Sequence, residues 1–173
     1  MPIDAALAAA VLTAVIAAFA ALWTSWRQVR NQRELLQVTQ AEQKRQALTD
    51  RCSTYLAATQ HAVLQLRDVA MADMESKDEA DREKVWPTVD RVNTALVAIK
   101  LNDPDELVEA ARQLDDAMVE LLRAARDQQY TQAEWRARRN EIIGKKPELV
   151  VQAARAQALK LQVPPALRPR NRA

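Results

Sequence analysis

The sequence of 173 residues contains one glycine, Gly144, and one cysteine, Cys52. Phosphate-binding loops and dinucleotide-binding turns need several glycines, because their backbone takes positive φ angles or approaches a phosphate closely. The shortage of glycine therefore excludes both kinds of site, and it excludes tight two-residue β-hairpins as well. A single cysteine forms neither a disulfide within the chain nor a zinc site built from several thiolates.

Residues that commonly carry out catalysis are also scarce. His61 is the only histidine. It lies nine residues from Cys52, whereas residues on one face of a helix are three, four or seven apart, so a cysteine–histidine nucleophile pair is disfavoured. No Glu-x-x-His motif occurs, and Asp115 and Asp116 point to different sides of a helix. We therefore expect no enzyme, no catalytic residues, no cofactor and no metal site.

Helix-forming residues dominate the rest of the composition. The chain is rich in Ala, Leu, Gln, Glu, Arg and Lys, and no proline occurs between Pro2 and Pro87. Such a composition is typical of long helices and predicts an all-α protein. The net charge is only +2, and no recognition motif is present, so we expect no nucleic-acid partner.

An uncharged run near the N-terminus predicts a transmembrane helix. Residues 5–23 contain no charged side chain, and a helix of that length spans about 29 Å, close to the hydrocarbon core of a bilayer. Its large apolar residues supply about −2 to −4 kcal/mol of insertion free energy. A cleaved signal peptide, cut after Ala20, and a buried helix of a soluble protein are the alternative interpretations. The large apolar residues are Leu7, Val11, Leu12, Val15, Ile16, Phe19 and Leu22.

Aromatic and basic residues follow this run directly. Trp23 and Trp26 lie where an interfacial aromatic belt would fall, and Arg27, Arg30 and Arg33 come next. The flank before the run has no lysine or arginine. The positive-inside rule therefore places the N-terminus outside and the C-terminal domain in the cytoplasm. The sequence predicts a single-pass protein of the inner (plasma) membrane, with these five residues at the membrane interface.

The helical pattern changes after the predicted anchor. Residues 24–47 are polar and rich in glutamine, which is typical of a solvated helical stalk. Residues 48–161 carry apolar stripes at spacings of three and four, which predict four amphipathic helices. Short connections favour antiparallel neighbours, so we predict an antiparallel four-helix bundle. The predicted helices cover residues 48–73, 85–101, 104–129 and 132–161. The two clearest stripes are Leu48, Cys52, Tyr55, Thr59, Ala62, Leu66 and Val69, and Leu107, Ala111, Leu114, Met118, Leu121 and Ala125.

Local signals mark the ends of the predicted helices. Asp103 suits the N-cap of the third helix, and Pro104 suits its first turn. The residues from Thr131 to Glu134 fit a capping box at the start of the fourth helix. A Gly-Lys-Lys-Pro segment predicts a kink in that helix near residues 144–147.

Charge is unevenly divided along the bundle. Residues 67–127 hold nine basic and sixteen acidic residues, whereas residues 130–173 hold ten and three. The second group includes residues 162–173, a predicted basic and disordered tail. One interpretation is a basic surface that contacts anionic lipid or an acidic partner; the other is that the fourth helix pairs with the acidic second and third helices. The candidate surface comprises Arg136, Arg138, Arg139, Lys145 and Lys146.

Two stretches resemble a known group of proteins. They are RCSTYLAA, which begins at Arg51, and LNDPDELVEAAR, which begins at Leu101. Together they resemble a loose group of small, uncharacterised membrane-anchored helical proteins of high-GC bacteria. Many of that group have Gly-Pro where this chain has Asp103-Pro104. The resemblance implies the same order of apolar helix, polar stalk and helical domain, and it implies no activity and no site residues.

These patterns predict a membrane-tethered helical interaction or scaffold module without catalytic activity. Its expected partners are the lipid bilayer and either another protein or a second copy of this chain. Two alternatives stay open. One is a sensor of anionic lipid surfaces that uses the basic fourth helix and tail. The other is a phage- or host-encoded membrane effector that oligomerises through its anchor.

Overall fold

The computed structural model describes the backbone of residues 3–72 and 85–161, and the side chains of residues 13–72 and 85–161. Three predicted features lie wholly or partly outside these ranges. They are the side chains of the anchor at residues 5–12, the first turn at residues 73–83, and the basic tail at residues 162–173.

The described chain is helical, which confirms the predicted all-α class. Five helices occur in the described ranges, and no strand occurs there. The predicted fourth helix is two separate helices, because Gly144 takes a positive φ of 43° that interrupts the helix. The helices are α1 (Ile3–Met71), α2 (Trp86–Asn102), α3 (Asp105–Asp127), α4 (Gln132–Ile142) and α5 (Lys146–Lys160).

The chain divides into two compact units. Among the described residues, the first unit ends at Gln43, and the second begins at Lys44 and ends at Leu161. In the first unit the described side chains of α1 are mostly exposed, as expected for a single helix. Over the residues that are described, no helix is long and apolar enough to cross a membrane.

The second unit is a helical bundle with one hydrophobic core. Every residue of the two clearest stripes on α1 and α3 is buried, as predicted. Residues three and four apart lie on one face of a helix with 3.6 residues per turn, so each stripe faces the core continuously. α2, α4 and α5 complete the core. Their buried residues are Thr88, Val92, Ala95, Leu96 and Ile99 on α2, Trp135 and Ile142 on α4, and Val150 on α5.

Polar contacts establish the directions of the helices. The Tyr55 hydroxyl donates a hydrogen bond of 2.8 Å to the carbonyl of Ala111, and the Tyr130 amide donates one of 2.9 Å to the carbonyl of Ala70. Residue numbers therefore rise together along α1 and α3, so these helices run in parallel. α5 runs the opposite way to α3, because Lys160, near the end of α5, lies 3.5 Å from Glu106, at the start of α3. These directions match an up-and-down bundle.

The start of α3 differs from the prediction. Pro104, not Asp103, is the N-cap residue, and its carbonyl accepts hydrogen bonds from the amides of Leu107 and Val108. Asp103 instead forms a two-pronged ion pair with Arg51 of α1, at 2.6 and 2.8 Å. The prediction was wrong because local cap preference was outweighed by a partner 52 residues away.

Other local predictions have mixed outcomes. The capping box of α4 is confirmed, since Thr131 and Glu134 each accept a hydrogen bond from the other's backbone amide. Trp86, at the start of α2, is 51% exposed, although its large apolar side chain suits a core position. Leu149 and Leu159 of α5 are exposed as well. Val150 is the one fully buried side chain of α5, and Ala153, Ala154 and Ala158 are partly buried against the core.

The Arg51–Asp103 pair predicts an asymmetric response to substitution. The Asp103 side chain is 2% exposed and that of Arg51 is 24% exposed. Arg51→Ala leaves a buried carboxylate without a cation, and we expect it to lower the unfolding free energy by about 3–5 kcal/mol. Asp103→Ala leaves an arginine that can reach water, and we expect a loss of only about 1–3 kcal/mol. Urea unfolding of the full-length protein, followed by circular dichroism, measures both losses.

A control comes from an exposed ion pair on the same helix. Arg67 and Asp68 lie 3.0 Å apart, with both side chains largely in solvent. Arg67→Ala should therefore change the unfolding free energy by about 1 kcal/mol or less. Equal losses for Arg51→Ala and Asp103→Ala would contradict the asymmetry argued from burial.

Candidate functional site

Tryptophan and arginine form a partial collar on one side of α1, directly after the predicted anchor. The rings of Trp23 and Trp26 lie 5.7 Å apart. The guanidinium carbon of Arg27 lies 5.8 Å from the Trp23 ring, and that of Arg30 lies 5.8 Å from the Trp26 ring. Each pair is four residues apart, a spacing that places side chains next to each other on a helix. The structure thus brings four of the five predicted interface residues into two cation–π pairs.

Large apolar side chains precede the collar. Val15, Ile16, Phe19 and Leu22 are all at least half exposed in the described part of the predicted anchor. They lie within about 120° of each other around α1. The other residues between Ala14 and Trp23 are alanines, so no face of this segment is polar. Arg30 also pairs with Glu34 at 3.2 Å. Arg33 joins neither cation–π pair.

The predicted basic surface is split by the structure. Arg138 turns toward acidic residues, at 3.7 Å from Glu120 of α3 and 2.8 Å from Glu141 of its own helix. These contacts raise the pKa of Arg138, first through the hydrogen bond that its guanidinium donates to the Glu141 carboxylate. Arg138 therefore follows the interpretation in which the fourth helix pairs with acidic neighbours.

The other four residues of the basic surface have no ion pair with any described residue. Arg136 is exposed on α4, and Arg139 only donates hydrogen bonds to the neighbouring Asn140 side chain, at 2.9 and 3.3 Å. Lys145 and Lys146 lie at the junction of α4 and α5. Their positive charges are not neutralised within the described part of the chain.

A groove lies between α1 and the junction of α4 with α5. It encloses about 420 Å³, within the roughly 300–1,000 Å³ of typical small-molecule sites. Its lining is mostly apolar, with a few polar groups along it. The lining residues are Leu56, Thr59, Gln60, Val63, Leu64, Arg139, Asn140, Ile143, Gly144 and Pro147.

A smaller cavity adjoins this groove. It encloses about 110 Å³ and shares three wall residues with the groove, Val63, Leu64 and Arg139. Its other walls are polar or aromatic: Arg67, Gln132, Trp135 and Arg136. Of the predicted basic residues, Arg136 and Arg139 therefore meet at one cavity, whereas Lys145 and Lys146 line neither.

Trp135 is the aromatic wall of the smaller cavity. It is 3% exposed, and its ring lies 5.6 Å from that of Tyr130. Its indole Nε1 is buried without a hydrogen-bond partner among the described residues. Buried polar groups almost always have a partner, and one left without it costs about 1–3 kcal/mol. The indole N–H of Trp135 is therefore a donor without an acceptor, at a cavity that Arg67, Arg136 and Arg139 also line.

Sequence reasoning missed the groove and this cavity. Leu56 and Val63 lie beside the predicted core stripe of α1, and Arg67 lies outside the predicted basic surface. No short motif contains these residues, because the groove joins α1 to a helix junction about 80 residues later in the chain. The signal that was available was the unpaired charge of Arg136 and Arg139.

The residues considered for catalysis stay apart. Cys52 is buried. Burial, and to a lesser extent the negative charge of Asp103, raise the pKa of its thiol to about 11. His61 is exposed and lines a different groove, between α1 and α2. Burial raises the pKa of Asp115, while Asp116 is exposed. The described side chains include no group of three or more potential metal ligands.

Comparisons with protein families, with curated proteins and with solved structures found no match. The resemblance to small membrane-anchored helical proteins of high-GC bacteria therefore stays a prediction from the sequence.

The environment of Cys52 predicts a slow reaction with thiol reagents. The thiolate is the reactive form, and a pKa of about 11, against an ordinary 9.0, makes it rare near neutral pH. We expect the folded chain to react with a disulfide reagent at least about a hundredfold more slowly than the chain in urea. The rate should still rise at alkaline pH where a free thiol has levelled off. Stopped-flow absorbance measures it, and a fast reaction in the folded state would show that Cys52 is accessible.

Proposed function

We propose that this protein is a membrane-tethered helical interaction module without catalytic activity. The observation that carries the proposal is the succession along α1 of exposed large apolar side chains and the Trp–Arg collar. Tryptophan favours the membrane–water interface, and arginine favours its cytoplasmic side. The proposed location is the inner membrane, with the N-terminus outside and the bundle in the cytoplasm.

The apolar run itself supports the attachment. It begins at Ala5 and ends at Trp23, so only its second half has described side chains. The four exposed apolar residues from Val15 to Leu22 would be costly to leave in water, at roughly 25 cal/mol for each Å² of apolar surface. A bilayer removes that cost without any protein partner.

The absence of catalytic activity is part of the proposal. The support for it is the separation of the candidate residues. Cys52 is buried on the core face of α1, while His61 is exposed and lines a groove whose walls do not include Cys52. In this proposal, the role of the core, which is built largely from Ala, Leu and Val, is to hold the surface residues in fixed positions.

Membrane attachment predicts a clear result in alkaline carbonate extraction. The full-length protein should stay in the membrane pellet. Ile16→Arg/Phe19→Arg should release it, because each arginine at the centre of a span costs about 2.5–3.5 kcal/mol, and the whole run supplies only about 2–4 kcal/mol. The matched control is Leu35→Arg/Leu36→Arg, which changes two exposed leucines of the same helix after the collar and should stay in the pellet. Release of the unaltered chain would end the proposal.

For the interaction, we propose that the exposed face of α2 binds a second copy of this chain. Trp86, Val97 and Leu101 lie within about 60° of each other around the helix and are 51%, 50% and 78% exposed. Beside them is an open groove lined mainly by small residues of α1 and α2, with Asp90 and Arg91 in its walls. In a two-fold dimer, these apolar side chains of one copy contact the groove of the other, and Asp90 can face Arg91.

Self-association through α2 can be measured in lipid vesicles by energy transfer between two differently labelled full-length chains. Val97→Glu/Leu101→Glu should abolish the transfer, because two buried carboxylates would face an apolar contact. Leu149→Glu/Leu159→Glu, which changes two exposed leucines of α5, should leave it unchanged. Transfer that survives the α2 substitutions would exclude this face as the interface.

A further inference from the structure

The groove between α1 and the α4–α5 junction has an apolar part and a basic end. Leu56, Val63, Leu64, Ile143 and Pro147 supply the apolar walls. The adjoining smaller cavity contributes Arg67, Arg136 and Gln132, and Arg139 lines both spaces. No aspartate or glutamate lines either one. An apolar trough that ends among cations is complementary to an amphiphilic anion.

The charges at the basic end are available to a ligand. Arg136 and Arg139 have no ion pair with a described residue, whereas Arg67 already pairs with Asp68 at 3.0 Å. Arginine presents several N–H donors in a fixed plane that matches a carboxylate, and such charge-assisted bonds are the strong ones. Trp135, at the same end, keeps a buried indole N–H without an acceptor. This end of the groove is therefore rich in donors and poor in acceptors.

The size of the groove favours a single alkyl chain. Its apolar wall on α1 runs from Leu56 to Leu64, about 12 Å along the helix axis. That length suits an extended chain of medium length, and the volume of about 420 Å³ leaves room for it with water displaced. Gly144 forms part of the opposite wall. A Cβ atom at this position would lie only 3.1 Å from the carbonyl oxygen of Asn140, which is closer than an ordinary van der Waals contact.

We propose that this groove binds a single-chain fatty acid, with the alkyl chain along the apolar walls and the carboxylate at Arg136 and Arg139. The proposal goes beyond the membrane-tethered module and does not depend on it. A chain that is not membrane-attached can still bind a fatty acid, and a membrane-attached chain can lack this site.

The test uses the full-length protein in phosphatidylcholine nanodiscs and a dodecanoate that carries a photoreactive diazirine on its chain. After illumination, adducts are mapped by peptide mass spectrometry. We expect adducts within residues 56–64 and 143–147, and unlabelled dodecanoate should compete for them. Adducts confined to residues 5–23 would mean that the probe only partitions into the bilayer, and would overturn the proposal.

Competition experiments distinguish recognition of the alkyl chain from recognition of the charged head group. Dodecanol, which has the same chain without the charge, should compete at least about tenfold more weakly than dodecanoate. Equal competition by dodecanol would show that the arginines do not recognise the head group. Inorganic phosphate should not compete, and displacement by phosphate alone would identify a simple anion site instead of a fatty-acid site.

Variants test the residues themselves. Arg136→Gln/Arg139→Gln should raise the half-saturating concentration of dodecanoate at least about tenfold, and Leu64→Glu, at an exposed wall position, should also weaken labelling. The matched controls are Arg123→Gln/Arg155→Gln and Leu159→Glu, which change exposed residues outside both spaces. Labelling that is unchanged in the first pair, with an unchanged circular dichroism melting curve, would refute the assignment. Carbonate extraction of the same variants reports membrane attachment separately.

Discussion

The parallel register of α1 and α3 is the constraint on which the bundle depends. The buried face of α3 is rich in alanine, and small side chains alone specify the relative position of two helices weakly. Directional contacts supply what this face lacks. The Tyr55 hydroxyl donates a hydrogen bond to the Ala111 carbonyl, and Arg51 forms an ion pair with Asp103 where α2 ends and α3 begins. Buried polar contacts of this kind fit only one register, because any slip leaves their groups without partners.

The other surfaces follow from that register. With α3 held beside α1, the loop after α3 reaches back so that the Tyr130 amide meets the Ala70 carbonyl. Trp135 is then buried one helical turn later, and Arg136 and Arg139 lie next to the side of α1 that carries Val63 and Leu64. α4 and α5 both run opposite to α3, since Arg138 lies near Glu120 and Lys160 lies near Glu106, and the break at Gly144 separates the two helices. The groove is a product of these three steps.

Much of the fold was predictable from short-range patterns. The stripes on α1 and α3, the capping box at Thr131 and the interruption at Gly144 all depend on residues within a few turns of one another. The errors came from long-range competition. Asp103 has the side chain of an N-cap residue but pairs with Arg51, which lies 52 residues earlier in the chain.

By itself the sequence determined that the protein is helical, which faces of its longest helices are buried, and that an uncharged run precedes a cluster of tryptophan and arginine. These properties are set by composition and by the helical period of 3.6 residues. Only the tertiary structure decided which charges are neutralised. Arg138 meets Glu120, while Arg136 and Arg139 line the small cavity beside the apolar groove. That outcome depends on which helices become neighbours, and neighbours distant in the chain leave no periodic signal in it.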